Sequence, residues 1–242
     1  MTQCALVTGS ISKHHAVVLL DERKEGCQRM YVPVHFEETR LSVQHDLIEA
    51  HPLALLITSN ENGPLANLVP VLRDRTASAK GTLKLHLARA NPQWKHLAAG
   101  DPCLVVFQGV DAYVTPGWYE TKRETGKVVP TWNYATVQVR GRATVHEDAH
   151  WLKDQVSALT GVHEAGQAKP WGVTDAPDDF ITSQLRAIVG VEIEITDITG
   201  KWKVSQNRNA ADAAGVVEGL RESSDAEKHE MADLVEKARK PV

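Results

Sequence analysis

The sequence predicts a mainly β, α+β chain: a β-barrel with peripheral helices. Three observations predict it. About seven short segments alternate apolar and polar residues or run apolar over strand length. Tight-turn signals join most of them. Helical periodicity enters mostly late in the chain, so strands and helices do not alternate as a doubly wound sheet requires.

Residues 36–50 carry Val43, Leu47 and Ile48 at helical spacing, and His51-Pro52 ends the segment. Residues 53–59 form an apolar run of strand length. Asn60-Glu61-Asn62-Gly63-Pro64 is a turn, because Asn-Gly tolerates positive φ. Residues 65–72 return as the second arm of a hairpin. Pro70 cannot donate to a ladder, which places this arm at a sheet edge or a bulge. Residues 82–87 alternate, with Leu83, Leu85 and Leu87 on one face and Lys84 and His86 on the other. Asn91-Pro92 opens a short helix. Residues 104–108 and 112–115 read as two strands, residues 116–130 as a polar loop, and residues 134–145 as a strand interrupted at Gly141. Residues 150–159 form an amphipathic helix and residues 161–178 a loop. Asp178-Asp179 start a short helix to Leu185, where their charge suits the positive helix end. Val189, Val191, Ile193 and Ile195 give the clearest alternation in the chain. Two polar helices, divided near Ser223-Ser224, fill residues 210–240.

The chain has 242 residues, with 27 Lys and Arg against 31 Asp and Glu, a net charge of −4. Its hydrophobic share, 42%, is that of a globular protein, which excludes disorder, fibres and coiled-coil rods. No apolar run is long enough to span a membrane. A mildly acidic chain does not attract DNA by bulk charge. Cys4, Cys27 and Cys103 are far apart, odd in number and without a CxxC pair, which argues against a disulfide framework and a cysteine zinc site. This usage points to a reducing, cytoplasmic compartment. The stretch Ala5-Leu6-Val7-Thr8-Gly9-Ser10 resembles the opening of a dinucleotide-binding strand, but the GxGxxG that brings backbone to a pyrophosphate is absent. The expected division is an N-terminal extension over residues 1–29, a domain over 30–222 and a helical tail over 223–242. Residues 1–29 read either as a loosely attached extension or as sequence upstream of a start at Met30.

Three constellations carry chemistry. From His86 to Lys95 a strand ending in Arg89 runs into a helix start, where free N–H groups and a guanidinium favour an anion. A solvated Arg in a turn is the competing reading. Val129 to Tyr134 sets Trp132 and Tyr134 around Asn133, either a wall for a planar ring or a core plug. Lys201 to Asn207 gathers two cations, an aromatic and amides, over an anion or in solvent. No GxSxG serine and no HExxH occur, and no pair of carboxylates stands apart for acid–base work.

Met30-Tyr31-Val32-Pro33-Val34-His35-Phe36, the block from His86 to Trp94, Phe107-Gln108-Gly109, Trp118-Tyr119-Glu120-Thr121, Val129 to Tyr134, Ile188-Val189-Gly190 and Gly200 to Asn207 together resemble the PaiB family of FMN-binding negative transcriptional regulators. The likeness runs in order over about residues 30–220. Residues 1–29, the charged stretch from Lys122 to Lys127 and the helix beyond Ser224 depart from the family pattern. The resemblance implies a split β-barrel similar to pyridoxamine-phosphate oxidases, a homodimer, and FMN at the subunit interface. Carried over residue by residue, it implies that Arg89 holds the FMN phosphate with Ala90, Asn91 and Gln93. Asn67, Leu68 and Val69 border the isoalloxazine. Trp132, Asn133, Lys203 and Gln206 complete the pocket, in part from the second subunit, and His86 stands nearby.

Three functions compete. The first is a flavin- or metabolite-sensing regulator. Direct DNA binding is doubtful for it, because no helix-turn-helix or basic recognition helix is visible. The second is an FMN-dependent oxidoreductase, in which flavin carries the redox chemistry and no protein acid or base is obligatory. The third is a haem-binding or haem-degrading split barrel, for which His86 or His35 is the candidate axial ligand. The expected metal set is empty, and the expected ligand is a small molecule.

Overall fold

The structure is a computed structural model that describes residues 29–239. The expected extension over residues 1–29 therefore lies, apart from Arg29, outside the described residues, as do Cys4 and Cys27. A short 3-10 turn, Val34–Phe36, leads into β1 (Glu37–Glu38) and α1 (Leu41–Ala50). The helix begins later than the spacing predicts, because residues 37–38 pair with a distant strand. The hairpin β2 (Leu53–Asn60) and β3 (Gly63–Pro70) follows, with Gly63 at φ 100° in its turn, then β4 (Leu72–Asp74), β5 (Thr82–Ala88) and α2 (Gln93–Ala98). Next come β6 (Cys103–Val114), α3 (Glu120–Thr125), β7 (Thr131–His146), α4 (Ala149–Glu164), α5 (Asp178–Arg186), β8 (Ile188–Lys203), α6 (Ala210–Arg221) and α7 (Ala226–Ala238).

The strands form one antiparallel sheet in the order β3-β2-β6-β7-β8-β5-β4, with β1 added to β8. β3 stands at the end of this path, the edge position that Pro70 predicts. The sheet curls around a core of alternate residues: Leu83 and Leu85 on β5, Leu56 on β2, Val137 and Val139 on β7, and Val191 and Ile193 on β8, all fully buried.

The two strands expected at 104–108 and 112–115 are one strand. Its register shifts between Gln108 and Asp111. One extra residue reverses the faces of a strand. Val105 and Phe107 accordingly face the barrel, while Val110, Ala112 and Val114 face a second core. That second core holds Val216 and Leu220 of α6 with Met231 and Val235 of α7. α7, which lies in the expected helical tail over residues 223–242, packs into this core with α6. The polar loop expected at 116–130 contains α3, whose first turn is capped by the buried Asp212. Its carboxylate accepts from Thr121 N and Thr121 Oγ1, both at 2.9 Å.

The short β4–β5 ladder carries a pH-dependent tie. Asp74 accepts from Lys84 Nζ at 2.8 Å, and from Thr76 N and Oγ1 at 2.9 Å each. The Lys84 contact, then the two from Thr76, hold its carboxyl well below the usual carboxylate range. A folded-state pKa below the unfolded value of about 3.9 stabilises above that pH and is lost as the pH falls through and below it. We expect Asp74→Asn to melt lower near neutrality and to lose less stability between pH 5 and pH 2. Parallel melting-temperature profiles for variant and parent would refute this tie.

Candidate functional site

The residues expected to hold a cofactor fall into three neighbourhoods. In the first, α2 lies against the β2–β3 hairpin. Gln93 is fully buried, and its Nε2 donates to Leu56 O at 3.0 Å and Leu65 O at 3.1 Å. Its Oε1 accepts from Asn67 Nδ2 at 3.0 Å. A side chain so committed does not also reach a phosphate; Gln93 fixes the hairpin and aims Asn67. Asn91 Oδ1 accepts from Gln93 N at 3.0 Å, and Ala90 is exposed in the turn before α2.

The bond to Leu65 O also orients β3. This strand pairs only with β2, so alternate residues turn their N–H and C=O away from the sheet. Val71 N donates to Pro52 O, so by the two-residue period Val69, Asn67 and Leu65 bond to β2, and the outward set is Ala66 and Leu68 with the donor-free Pro64 and Pro70. The Asn67 carboxamide oxygen and this backbone edge are what the first neighbourhood offers a ligand. Leu68 is 65% exposed on the outer face.

The second neighbourhood is that of Arg89. Its guanidinium is engaged within the chain: Nε donates to Arg186 O at 2.9 Å, Nη2 to Ile188 O at 3.1 Å, and Nη1 to the Glu147 carboxylate. Arg89 clamps the α5–β8 junction, and gripping a phosphate requires release of Glu147. We expect Arg89→Ala to lower the stability of flavin-free protein by about 1–2 kcal/mol, the range for bonds made by a partly exposed charged group. Denaturant melts of flavin-free protein check this; unchanged stability with weakened flavin binding would return Arg89 to the phosphate. His86, two strand positions before Ala88, faces α4, where its Nδ1 meets Gln155 Oε1 at 2.9 Å.

The third neighbourhood is the β7–β8 end. Asn133 is buried, and its Nδ2 donates to Ser205 Oγ at 3.0 Å. Gln206 closes the turn after β8 by accepting from Val204 N at 2.8 Å and donating to Trp202 O. Both are internal fastenings, although their types had marked them as ligand groups. Lys203 Nζ donates to Trp132 O at 2.7 Å and to Thr131 Oγ1. Burial pushes the Lys203 ammonium down from its ordinary pKa, and Lys201 and Arg208 add to this against Tyr134. Trp132 is 54% exposed and stands edge-on to Tyr113, with ring centres 5.8 Å apart. Tyr134 lies between Lys201 and Lys203, 5.4 and 5.9 Å from its ring centre.

One chain does not unite these groups. β2 and β6 separate Asn67 from β7, about 14 Å of sheet at the usual strand spacing. What lies between is an apolar outer face. Leu55 pairs with Leu68 and Val106, and Ile57 pairs with Ala66 and Leu104, so these side chains share the side opposite the buried Ala54 and Leu56. The run Leu53-Ala54-Leu55-Leu56-Ile57 signals this, since a strand apolar on both faces has both to cover. Among the described residues, no three or more His, Cys, Asp or Glu side chains cluster as a metal site, and no helix is long and apolar enough to cross a membrane.

The family described as "Putative FMN-binding domain" matches residues 30–197. The chain belongs to this family. The FMN-binding domain so recognised carries the cofactor class that the sequence motifs imply. Protease synthase and sporulation protein PAI 2 of Bacillus subtilis is 30% identical over 210 residues, 86% of this chain and 97% of that protein. This relative sustains the PaiB resemblance. An uncharacterized Aspergillus fumigatus protein is 33% identical over 236 residues, 79% of this chain and 90% of its own. Among solved structures, the FAD and heme binding protein of Mycobacterium smegmatis is 18% identical and superposes with a TM-score of 0.52 over 69% of this chain and 73% of that one. The flavocytochrome Anf3 of Azotobacter vinelandii is 14% identical, with a TM-score of 0.51 over 69% of each chain. Both share the split-barrel fold with this FMN-binding domain.

Proposed function

We propose that this FMN-binding domain holds its flavin between two copies of the chain and acts as a flavin- or metabolite-sensing regulator of the PaiB type. The observation that carries the reading is the apolar outer face of β3, β2 and β6. It lies between the β3 edge, where the Ala66 and Leu68 backbone groups face outward on either side of the Asn67 carboxamide, and the cationic, aromatic cluster of Lys201, Lys203, Tyr134 and Trp132. Those features fit a flat ring system with a hydrogen-bonding edge and an anionic tail.

A two-fold axis through the apolar face would bring the third neighbourhood of one copy toward the first of the other. Asn67 and the β3 edge would then hold the pyrimidine edge of the ring, and Trp132 would cover its plane. With Arg89 committed to Glu147, the groups offered to the phosphate are the exposed Lys95 of α2 and the turn at Ala90 and Asn91, together with the Lys201 and Lys203 cluster brought from the other copy. Bound FMN supplies one- or two-electron redox chemistry; the chain binds it, orients it and excludes water.

The test is direct. Purified chain is scanned for flavin absorbance, stripped, and titrated with FMN and FAD by fluorescence quenching, while light scattering reports its mass. Saturable FMN binding by a dimer is the expected result. A chain that binds neither flavin would end the proposal.

A further inference from the structure

The geometry points to a second small-molecule site, under α4 and α5, that takes a neutral, flat, mainly apolar ligand bearing one O–H or N–H donor. A cavity of about 330 Å³ opens between these helices and the β5–β8 pair. Its walls include Val156 of α4, Trp171 of the connecting loop, Phe180 and Ile181 of α5, and Ile188 of β8. Among the described residues no charged side chain lines it, so a charged ligand would be desolvated there without a partner. Trp171 is 44% and Phe180 53% exposed, two large rings at one opening on a surface where such rings are seldom left uncovered. The volume lies at the lower end of the range of small-molecule pockets.

Among the described residues three polar side chains line the cavity, His86, Thr160 and Gln184, and His86 is the one held by a buried partner. Its Nδ1 meets the carboxamide oxygen of Gln155 at 2.9 Å; in the tautomer with the proton on Nδ1 this is an N–H···O bond and Nε2 keeps a lone pair. His86 lines the cavity, and the hydrogen bond its ring makes among the described residues is the one at Nδ1. Gln155 is 3% exposed, and its Nε2 lacks a partner. Beside them β8 carries Gly190, opposite His86 in the ladder. An added Cβ there would lie 2.2 Å from the Trp151 ring, so the absent side chain lets α4 close on the sheet and hold Gln155 against His86. In that tautomer an imidazole at the wall of a mainly apolar cavity selects a ligand with a donor group. This site uses none of the groups proposed for the flavin, and its ligand is the metabolite that a sensing protein would read.

The probes are 1-naphthol, which has the donor, and 1-methoxynaphthalene, which lacks it, titrated calorimetrically into flavin-loaded protein with the flavin spectrum recorded alongside. The expected result is binding of 1-naphthol at least about fivefold tighter than its ether, the worth of one neutral hydrogen bond. His86→Phe should abolish that preference. Phe180→Glu, at an exposed position that does not threaten folding, should weaken both probes at least tenfold. Failure of both probes to bind, equal affinity of the two, or insensitivity to Phe180→Glu would overturn the site. Displacement of flavin by 1-naphthol would overturn it too, by placing the probe on the flavin face. A chain that never binds flavin, yet binds 1-naphthol with the stated preference, would leave this site standing.

Discussion

Gly215→Ala is expected to lower the melting temperature by roughly 5 °C or more, although alanine is the better helix former. Gly215 and Gly219 sit four apart on one face of α6, and Trp118 rests in the groove they leave. A Cβ at Gly215 would lie 2.0 Å from the backbone oxygen of Trp118, and one at Gly219 2.3 Å from Cε2 and Nε1 of its ring. Alanine gains about 1 kcal/mol over glycine in a helix interior. Overpacking a close contact costs about 1–3 kcal/mol, more where the obstacle is backbone. At Gly215 the obstacle is backbone, so the loss wins; at Gly219 a ring can swing, so the effect is smaller. At about 2–4 °C per kcal/mol for a domain of this size, the drop should be plain in a circular-dichroism melt at fixed flavin load. Gly161 supplies the opposite sign. It lies in α4 with no atom within 4 Å of its added Cβ, and Gly161→Ala should melt slightly higher. A Gly215→Ala protein that melts at or above its parent would remove Trp118 from the packing of α6.

The barrel was legible because alternation is a strong signal where one face is buried and the other wet. Leu83, Leu85 and Leu87, like Val189 to Ile195, occupy the interior that their spacing predicts. The shift at Gln108 was not legible. It changes the phase of one strand without changing its composition, and the residues beyond it serve a second core that only the late helices reveal. α3 was hidden by charge, since its cap, Asp212, comes from 91 residues away.

The motifs of the candidate site were legible, and the internal bonds of their side chains were not. Arg89, Gln93, Asn133 and Gln206 are all types that hold ligands, yet each spends its polar groups on the chain's own carbonyls, carboxylates or hydroxyls. A sequence shows that a donor is present and not whether the fold has already used it. The apolar outer face was present in the run from Leu53 to Ile57, and its meaning needed the register that sets Leu55 beside Leu68.

That face sets the last expectation. The double variant Leu55→Glu/Leu68→Glu should be monomeric at micromolar concentration, and its flavin content after purification should fall at least tenfold. The two positions are direct cross-strand partners on the outer side of the sheet, Leu68 exposed and Leu55 half-buried, so glutamates there leave the barrel core intact. In a two-fold pair each substitution counts twice, which brings four carboxylates to one apolar patch. Like charges facing each other across an interface cost several kcal/mol, and each such carboxylate loses water that no partner replaces. The unassociated chain gains charge on an already wet surface, so its melting temperature without flavin should stay close to that of the parent monomer. Light scattering and the ratio of flavin to protein absorbance read the two effects separately. A variant that remains a flavin-loaded dimer would take both the interface and the cofactor off this face. A monomer that keeps its full complement of flavin would confirm the interface and move the flavin into a single chain, where the β3 edge and the turn at Ala90 would have to hold it without Trp132 or Lys203 from a partner.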